Sequence, residues 1–209
     1  MSADSHTMVN IAAERRAFTK ILEALPQQAW NTPSLCTGWR VREVVAHMAM
    51  PLRFSAPRFI GEMLRSRGNF ARMADRVARH DAQEPVSTLL HRWRANEDTL
   101  WKPPGGGLQG ALTHDIVHGL DITIPLGLKH PVGDASLLTV LDHATSPLSR
   151  KHFRLDLAGV RLEATDLDWA FGAGEPLRGG AHHLLMVLMD RRLPNGALAG
   201  GAAARFTTT

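Results

Sequence analysis

A chain of 209 residues, 44% hydrophobic and 21% charged, has an ordinary globular composition and is long enough for one large domain or two modest ones. No run approaches the roughly 18 apolar residues that span a bilayer, and the opening MSADSHTMVN has neither the basic start nor the apolar core of a secretory signal. The single cysteine, Cys36, excludes an internal disulfide framework and points to a reducing cytoplasm, while a formal charge of +4 leaves anionic partners open.

In chain order, NIAAERRAFTKILEAL repeats apolar residues at helical spacing and stops at Pro26, which predicts a first helix. PQQAWNTPSLCTGW reads as a loop from its Pro, Asn, Thr and Gly content. VREVVAHMAM begins a second helix, which Pro51 either ends or kinks. Arginine-rich helical stretches follow to about His80, then PVSTLLHRWRANEDTLW with proline at a tolerated early position. KPPGGG breaks the chain. Helical spacing resumes from Leu108 to Ile124, ended by Pro125 and Gly127.

Beyond about Pro131 the pattern changes. DASLLTVLDHAT predicts one more short helix, HFRLDLAGVRLEAT alternates around Ala158 and Gly159 like a hairpin, and DLDWAFG reads as another strand. GGAHHLLMVLMDRR predicts a final helix led in by glycine. A run of helices followed by strands with a helix is an α+β arrangement: a helical bundle over residues 1–147, then a small α+β domain over 148–209.

Within the helix from Leu108, the stretch HDIVHGLDI places His114, His118 and Asp121 at i, i+4 and i+7, on one face. Two histidines one turn apart can bind one metal ion, and a facing helix must then supply the third ligand. His47, beside the core-marking Val44, Val45 and Met48, is the best candidate. Three neutral imidazoles leave a fourth position open, as in catalytic zinc sites. The competing reading is a set of core histidines bonded to backbone, and spacing alone leaves both standing.

SLCTGWRVREVVAHM is similar to the approach to the second helix in the mycothiol-dependent maleylpyruvate isomerase family, part of the DinB-like bundle superfamily. Gly38, Trp39, Arg42, Glu43 and His47 carry that likeness. HDIVHGLDITIPLG resembles the family's second metal segment, and LDWAFGAGEPLRGGAHHLLMVLMDRRLP its small α+β domain. The resemblance implies a four-helix-type DinB-like bundle, with His47, His114 and His118 holding a divalent metal, zinc as first choice. It further implies mycothiol or a similar thiol as cosubstrate, an electrophilic substrate, and isomerase or S-transferase chemistry. It suggests a functional arginine near Arg191.

Two departures stand out. His114 occupies a position that is glutamate in the isomerase itself, whereas all-histidine sites mark related thiol S-transferases. Arg40 replaces the threonine that would cap the helix, so Glu43 is left to pair with an arginine instead.

Asp121 is a candidate catalytic residue, orienting a ligand imidazole, although a helix-terminal acid bonding nearby backbone reads equally well. Arg178 and Arg191 are candidates to hold carboxylates of the thiol or substrate. Arg191 is also a candidate catalytic group. Cys36 reads as a packed loop residue, and adjacent His182 and His183 point to different sides of their helix. Trp93, Trp101 and Trp169 read as core or pocket wall. Gly105, Gly107 and Gly110 spell a dinucleotide-binding glycine pattern, but WKPP precedes them where a strand is required.

Nine arginines between Arg53 and Arg94 are opposed there only by Glu62, Asp75, Asp81 and Glu84. A solvated helical face is favoured over a nucleic-acid footprint, since no DNA-reading motif accompanies them. Three functions follow in order: a thiol- and metal-dependent enzyme, a non-enzymatic ligand-binding or stress-response bundle, and a basic nucleic-acid binder. The oligomeric state, monomer or homodimer, is open.

Overall fold

The computed structural model describes residues 3–103, 106–153 and 156–208. Helix α1 (Ala3–Ala24) buries Ile11, Phe18 and Leu22, which recur at helical spacing, and it ends two residues before Pro26. A short 3-10 turn (Gln27–Asn31) seats Trp30 in the core, and the loop leads into α2 (Val41–Arg53). There the Arg40 backbone N–H donates to Glu43 Oε2 at 2.8 Å, while Arg40 Nη2 meets Glu43 Oε1 at 2.6 Å. The acid thus keeps its half of a capping box, with an ion pair in place of the absent hydroxyl.

Pro51 neither ends nor breaks α2, which continues to Arg53. It does remove the N–H that would otherwise bond the His47 carbonyl one turn earlier. Helices α3 (Ala56–Arg65) and α4 (Phe70–Asp81) carry Arg58, Arg65, Arg72, Arg76 and Arg79 of the arginine-rich stretch, and Asn69 Oδ1 caps α4 by accepting the Arg72 N–H at 2.9 Å. Helices α5 (Val86–Arg94) and α6 (Gly107–Thr123) complete the packing around α2, which touches α4, α5 and α6, while α1 lies along α6. Of the three glycines in the dinucleotide-like pattern, Gly105 lies outside the described residues. The other two sit in the first turn of α6, and among the described residues no strand precedes them.

Helices α7 (Asp134–Thr145) and α8 (Pro147–Phe153) lead to strands β1 (Val160–Ala164), β2 (Ala170–Gly172) and β3 (Glu175–Gly179), then α9 (Ala181–Leu188). The sheet order is β2-β1-β3, with Leu162 opposite Phe171 in an antiparallel pair and opposite Leu177 in a parallel one. The expected hairpin at Ala158–Gly159 is not formed. Helix α8 takes in the first two residues of that segment, His152 and Phe153, residues 154–155 lie outside the described residues, and Asp156 Oδ1 accepts the Ala158 N–H at 2.9 Å. That side-chain turn bends the chain into β1, whose partners both come from downstream. A six-residue alternation without a register-fixing partner is weak strand information.

Two large apolar clusters hold the molecule. One gathers Phe18, Leu22, Trp30, Trp93 and the inner face of α2. The other joins α6 and α7 to β1, β3 and α9. A small third one, Met50 with Met73 and Val77, ties α2 to α4. Among the described residues no helix is long and apolar enough to cross a membrane.

Gly119, in the middle of α6, has no room for a side chain: a Cβ there would collide with the His130 ring, which stacks on Phe18 at 5.7 Å between centroids. Gly119→Ala gains up to about 1 kcal/mol of helix propensity but overpacks a site whose cost is roughly 1–3 kcal/mol. The expected result is a net destabilisation of about 1–2 kcal/mol, read as a lower urea midpoint at unchanged slope.

Candidate metal centre and cavity

The apolar face of α2 is fixed by Val44, Val45 and Met48, all buried, and it carries His47 inward at 7% exposure. On α6, His114 and His118 lie one turn apart on the side that packs against α2. The crossing of these helices brings the three imidazoles together: centroids are 4.8 Å apart for His47–His118 and His114–His118, and 5.3 Å for His47–His114. One ring nitrogen from each lies within 4.8 Å of the others.

Carboxylates back two of the rings. His118 Nδ1 meets Asp121 Oδ2 at 2.9 Å, and His114 Nδ1 meets Asp115 Oδ1 at 3.0 Å. Asp115 is itself held by buried Arg15 at 2.7 Å, from 100 residues away. This is the outer arrangement that orients metal-bound histidines. Two buried nitrogens, His47 Nδ1 and His114 Nε2, have no hydrogen-bond partner among the described residues. Buried polar atoms left unpaired are costly, and a cation accepting their lone pairs resolves that cost.

Protonation favours the same occupant. Burial pushes the His47 pKa well below the ordinary imidazole value, with repulsion from His118 and His114 adding to it. Burial likewise lowers His118, against the opposing hydrogen bond to Asp121. Neutral imidazoles are the metal-ligating form.

Asp121 is fully buried and serves several partners at once. Arg191 binds it through Nε at 2.8 Å and Nη2 at 3.0 Å, and Cys36 Sγ donates to Oδ2 at 2.9 Å. Burial alone would raise its pKa, yet the hydrogen bonds from His118 and Arg191, together with the guanidinium charge, hold the carboxyl far below the usual carboxylate range. Cys36, His118 and Asp121 form a second ligand-like group, but Arg191 already occupies both Asp121 oxygens. A cation there would face a guanidinium, so the three-histidine group is the better site.

Cys36, read from sequence as loop packing, therefore sits inside the constellation, 3.3 Å from Arg191 Nη2 and 3.8 Å from His118 Nδ1. Its partners lie 85 and 155 residues away along the chain, beyond any local signal. Burial and the Asp121 charge push its thiol pKa far up, outweighing Arg191. Folded protein at pH 8 is therefore expected to react with iodoacetamide far more slowly than urea-unfolded protein, as followed by intact mass.

A cavity of about 800 Å³ opens over the three imidazoles, bounded by Met50, Phe54, Phe59, Trp101, Val117 and Arg191 among others. Trp93 is core at 0% exposure, Trp101 is cavity wall, and half-buried Trp169 packs beside the second cluster. Arg178 is not brought to this place. It stands exposed on β3, ion-paired at 2.9 Å to Glu163, its register partner on β1, outside the residues that line the cavity. His182 and His183 pack at 3.9 Å between centroids in α9, apart from the ligand-like groups. The arginine belt is largely paired locally: Arg65 and Arg76 with Glu62, Arg79 with Asp75, Arg53 with Asp81, Arg92 with Glu84 and Arg94 with Glu23.

Residues 11–102 match the family described as the mycothiol maleylpyruvate isomerase N-terminal domain, a span that includes His47 and ends before His114. The fold is similar to the crystal structure of the mycothiol-dependent maleylpyruvate isomerase, with a TM-score of 0.54 at 12% identity over 97% of this chain and 94% of that one. A histidine-to-alanine mutant of that enzyme superimposes with a TM-score of 0.54 at 11% identity, over 97% and 94% of the two chains. Comparison of the sequence with curated proteins finds no match.

Proposed function

We propose, from the premise that residues 11–102 belong to the mycothiol maleylpyruvate isomerase N-terminal domain family, that this chain is an enzyme of low-molecular-weight thiol chemistry. His47, His114 and His118 would hold a divalent cation, zinc by the all-imidazole donor set, and mycothiol or a similar thiol would be the cosubstrate. The bundle of residues 1–147 supplies the ligands, and the α+β portion of residues 148–209 supplies Arg191. The observation that carries this reading is the convergence of three imidazoles, one buried and two half-buried, two of which carry a buried, unpartnered nitrogen.

Such a cation, when bound, lowers the pKa of a thiol at its open position so that sulfur becomes nucleophilic near neutral pH. The chain's own groups do the rest. Asp121 fixes the His118 ring by accepting from Nδ1, and Asp115 does the same for His114. Arg191, bonded to both Asp121 oxygens and to the Met189 carbonyl at 2.9 Å, lines the cavity and holds Asp121 ionised against the His118 ring. Cys36, kept protonated by burial, does not compete as a nucleophile. Apolar walls keep water from the reacting carbon. An isomerase lets the added sulfur leave again and a transferase keeps it, and both begin with the same carbon–sulfur bond.

The test uses tag-free protein reconstituted with zinc and titrated calorimetrically with mycothiol, bacillithiol and glutathione. The expected result is one retained ion per chain and a thiol-binding heat that disappears with chelator. Failure to retain any divalent ion would remove the reading.

A further inference from the structure

We propose that the cavity over the three histidines takes an electrophile with an aromatic or extended apolar body and at most one anionic end, not a compact dicarboxylate. This deepens the proposed function and rests on it. At about 800 Å³ the cavity has the size of sites that enclose drug-sized ligands. Its walls are Met50, Phe54, Phe59, Trp101, Val117 and Leu148, drawn from α2, α3, α6, α8 and the loops between them. Two apolar side chains at its mouth, Leu148 and Phe70, are 69% and 49% exposed. An apolar ligand body would cover both, whereas a small diacid would reach neither wall.

Charge points the same way. No carboxylate lines the cavity among the described residues, and the cationic side chains there are Lys102 and Arg191. Arg191 is already neutralised by its two bonds to Asp121. Burial lowers the pKa of His143, leaving that ring neutral. Lys102 is exposed at the rim and has no ion-pair partner among the described residues. Of the wall hydroxyls, Thr113 Oγ1 donates to the Gln109 carbonyl at 2.8 Å, while Ser149 Oγ accepts from Ser146 Oγ at 3.1 Å and adds one neutral donor but no charge. With the thiol at the cation's open position, one free cation remains for a substrate. A second carboxylate would be buried without compensation.

Binding tests this without turnover. The zinc-loaded full chain is titrated with 1-anilinonaphthalene-8-sulfonate, with neutral N-phenyl-1-naphthylamine, and with maleate as competitor. Both naphthalenes should bind saturably and resist millimolar maleate. Phe59→Asp should weaken both by about tenfold or more, and Lys102→Glu only the sulfonate. Displacement by maleate, or indifference of both probes to Phe59→Asp, would overturn the proposal.

Turnover separates it from the broader reading. With mycothiol and 1-chloro-2,4-dinitrobenzene, a carbon–sulfur bond forms, chloride leaves with the carbon–chlorine electron pair, and the thiol proton goes to solvent. Consumption of that substrate in preference to maleate supports the assignment. Consumption of neither, with both probes still bound, would sink the thiol-enzyme reading while leaving the apolar ligand site in place.

Discussion

His118→Ala is expected to abolish stoichiometric divalent-cation binding and the thiol chemistry that depends on it. The variant removes one of three converging nitrogens and the ring that Asp121 orients. Loss of an outer partner of a metal ligand costs roughly 10–100-fold in affinity, so loss of the ligand itself should exceed that. The folded state offers an independent readout. A cation at about 100 times its Kd stabilises a protein that binds it only when folded by about 2.7 kcal/mol. For a chain of this size each kcal/mol moves Tm by roughly 2–4 °C, so zinc should raise the wild-type Tm by about 5–10 °C. The same zinc addition should leave the His118→Ala Tm nearly unmoved. An equal zinc-induced shift in the two proteins would show that the ion binds elsewhere.

Asp121→Ala should cost more stability than any other single change at the site. It leaves the half-buried Arg191 guanidinium without its counter-charge and removes the acceptor of His118 and Cys36. Removing one partner of a buried ion pair typically costs 3–5 kcal/mol, because the remaining charge stays desolvated and unpaired. A Tm fall of about 6–20 °C follows from the same conversion. Pairing it with Arg191→Met removes the stranded charge and should recover part of the loss, a non-additivity that a double-mutant cycle in urea measures directly. Additive losses would mean that the pair is not the cause. Metal titration of Asp121→Asn, which keeps the volume but not the charge, separates the orienting role from the structural one.

Among the helices, legibility followed periodicity. Phe18 and Leu22 in α1, and Val44, Val45 and Met48 in α2, announce their buried faces because helix geometry repeats every few residues and needs no distant partner. The failed hairpin at Ala158–Gly159 is the counterexample. Strand pairing is a long-range choice, and Val160–Ala164 found Glu175–Gly179 in parallel rather than the segment just before it. The partner of Arg178 is hidden from sequence for a related reason: sheet register sets Glu163 beside it.

By itself the sequence determined that His114 and His118 share one helical face and that α2 carries an apolar stripe around His47. Both are consequences of local backbone geometry. Only the tertiary structure decided that His47 meets that pair, that Cys36 and Arg191 both close on Asp121, and that the remaining space is lined by hydrocarbon. Those contacts join residues far apart along the chain, 155 positions for Cys36 and Arg191, and such closures are selected by how whole helices pack, which no short window of sequence encodes.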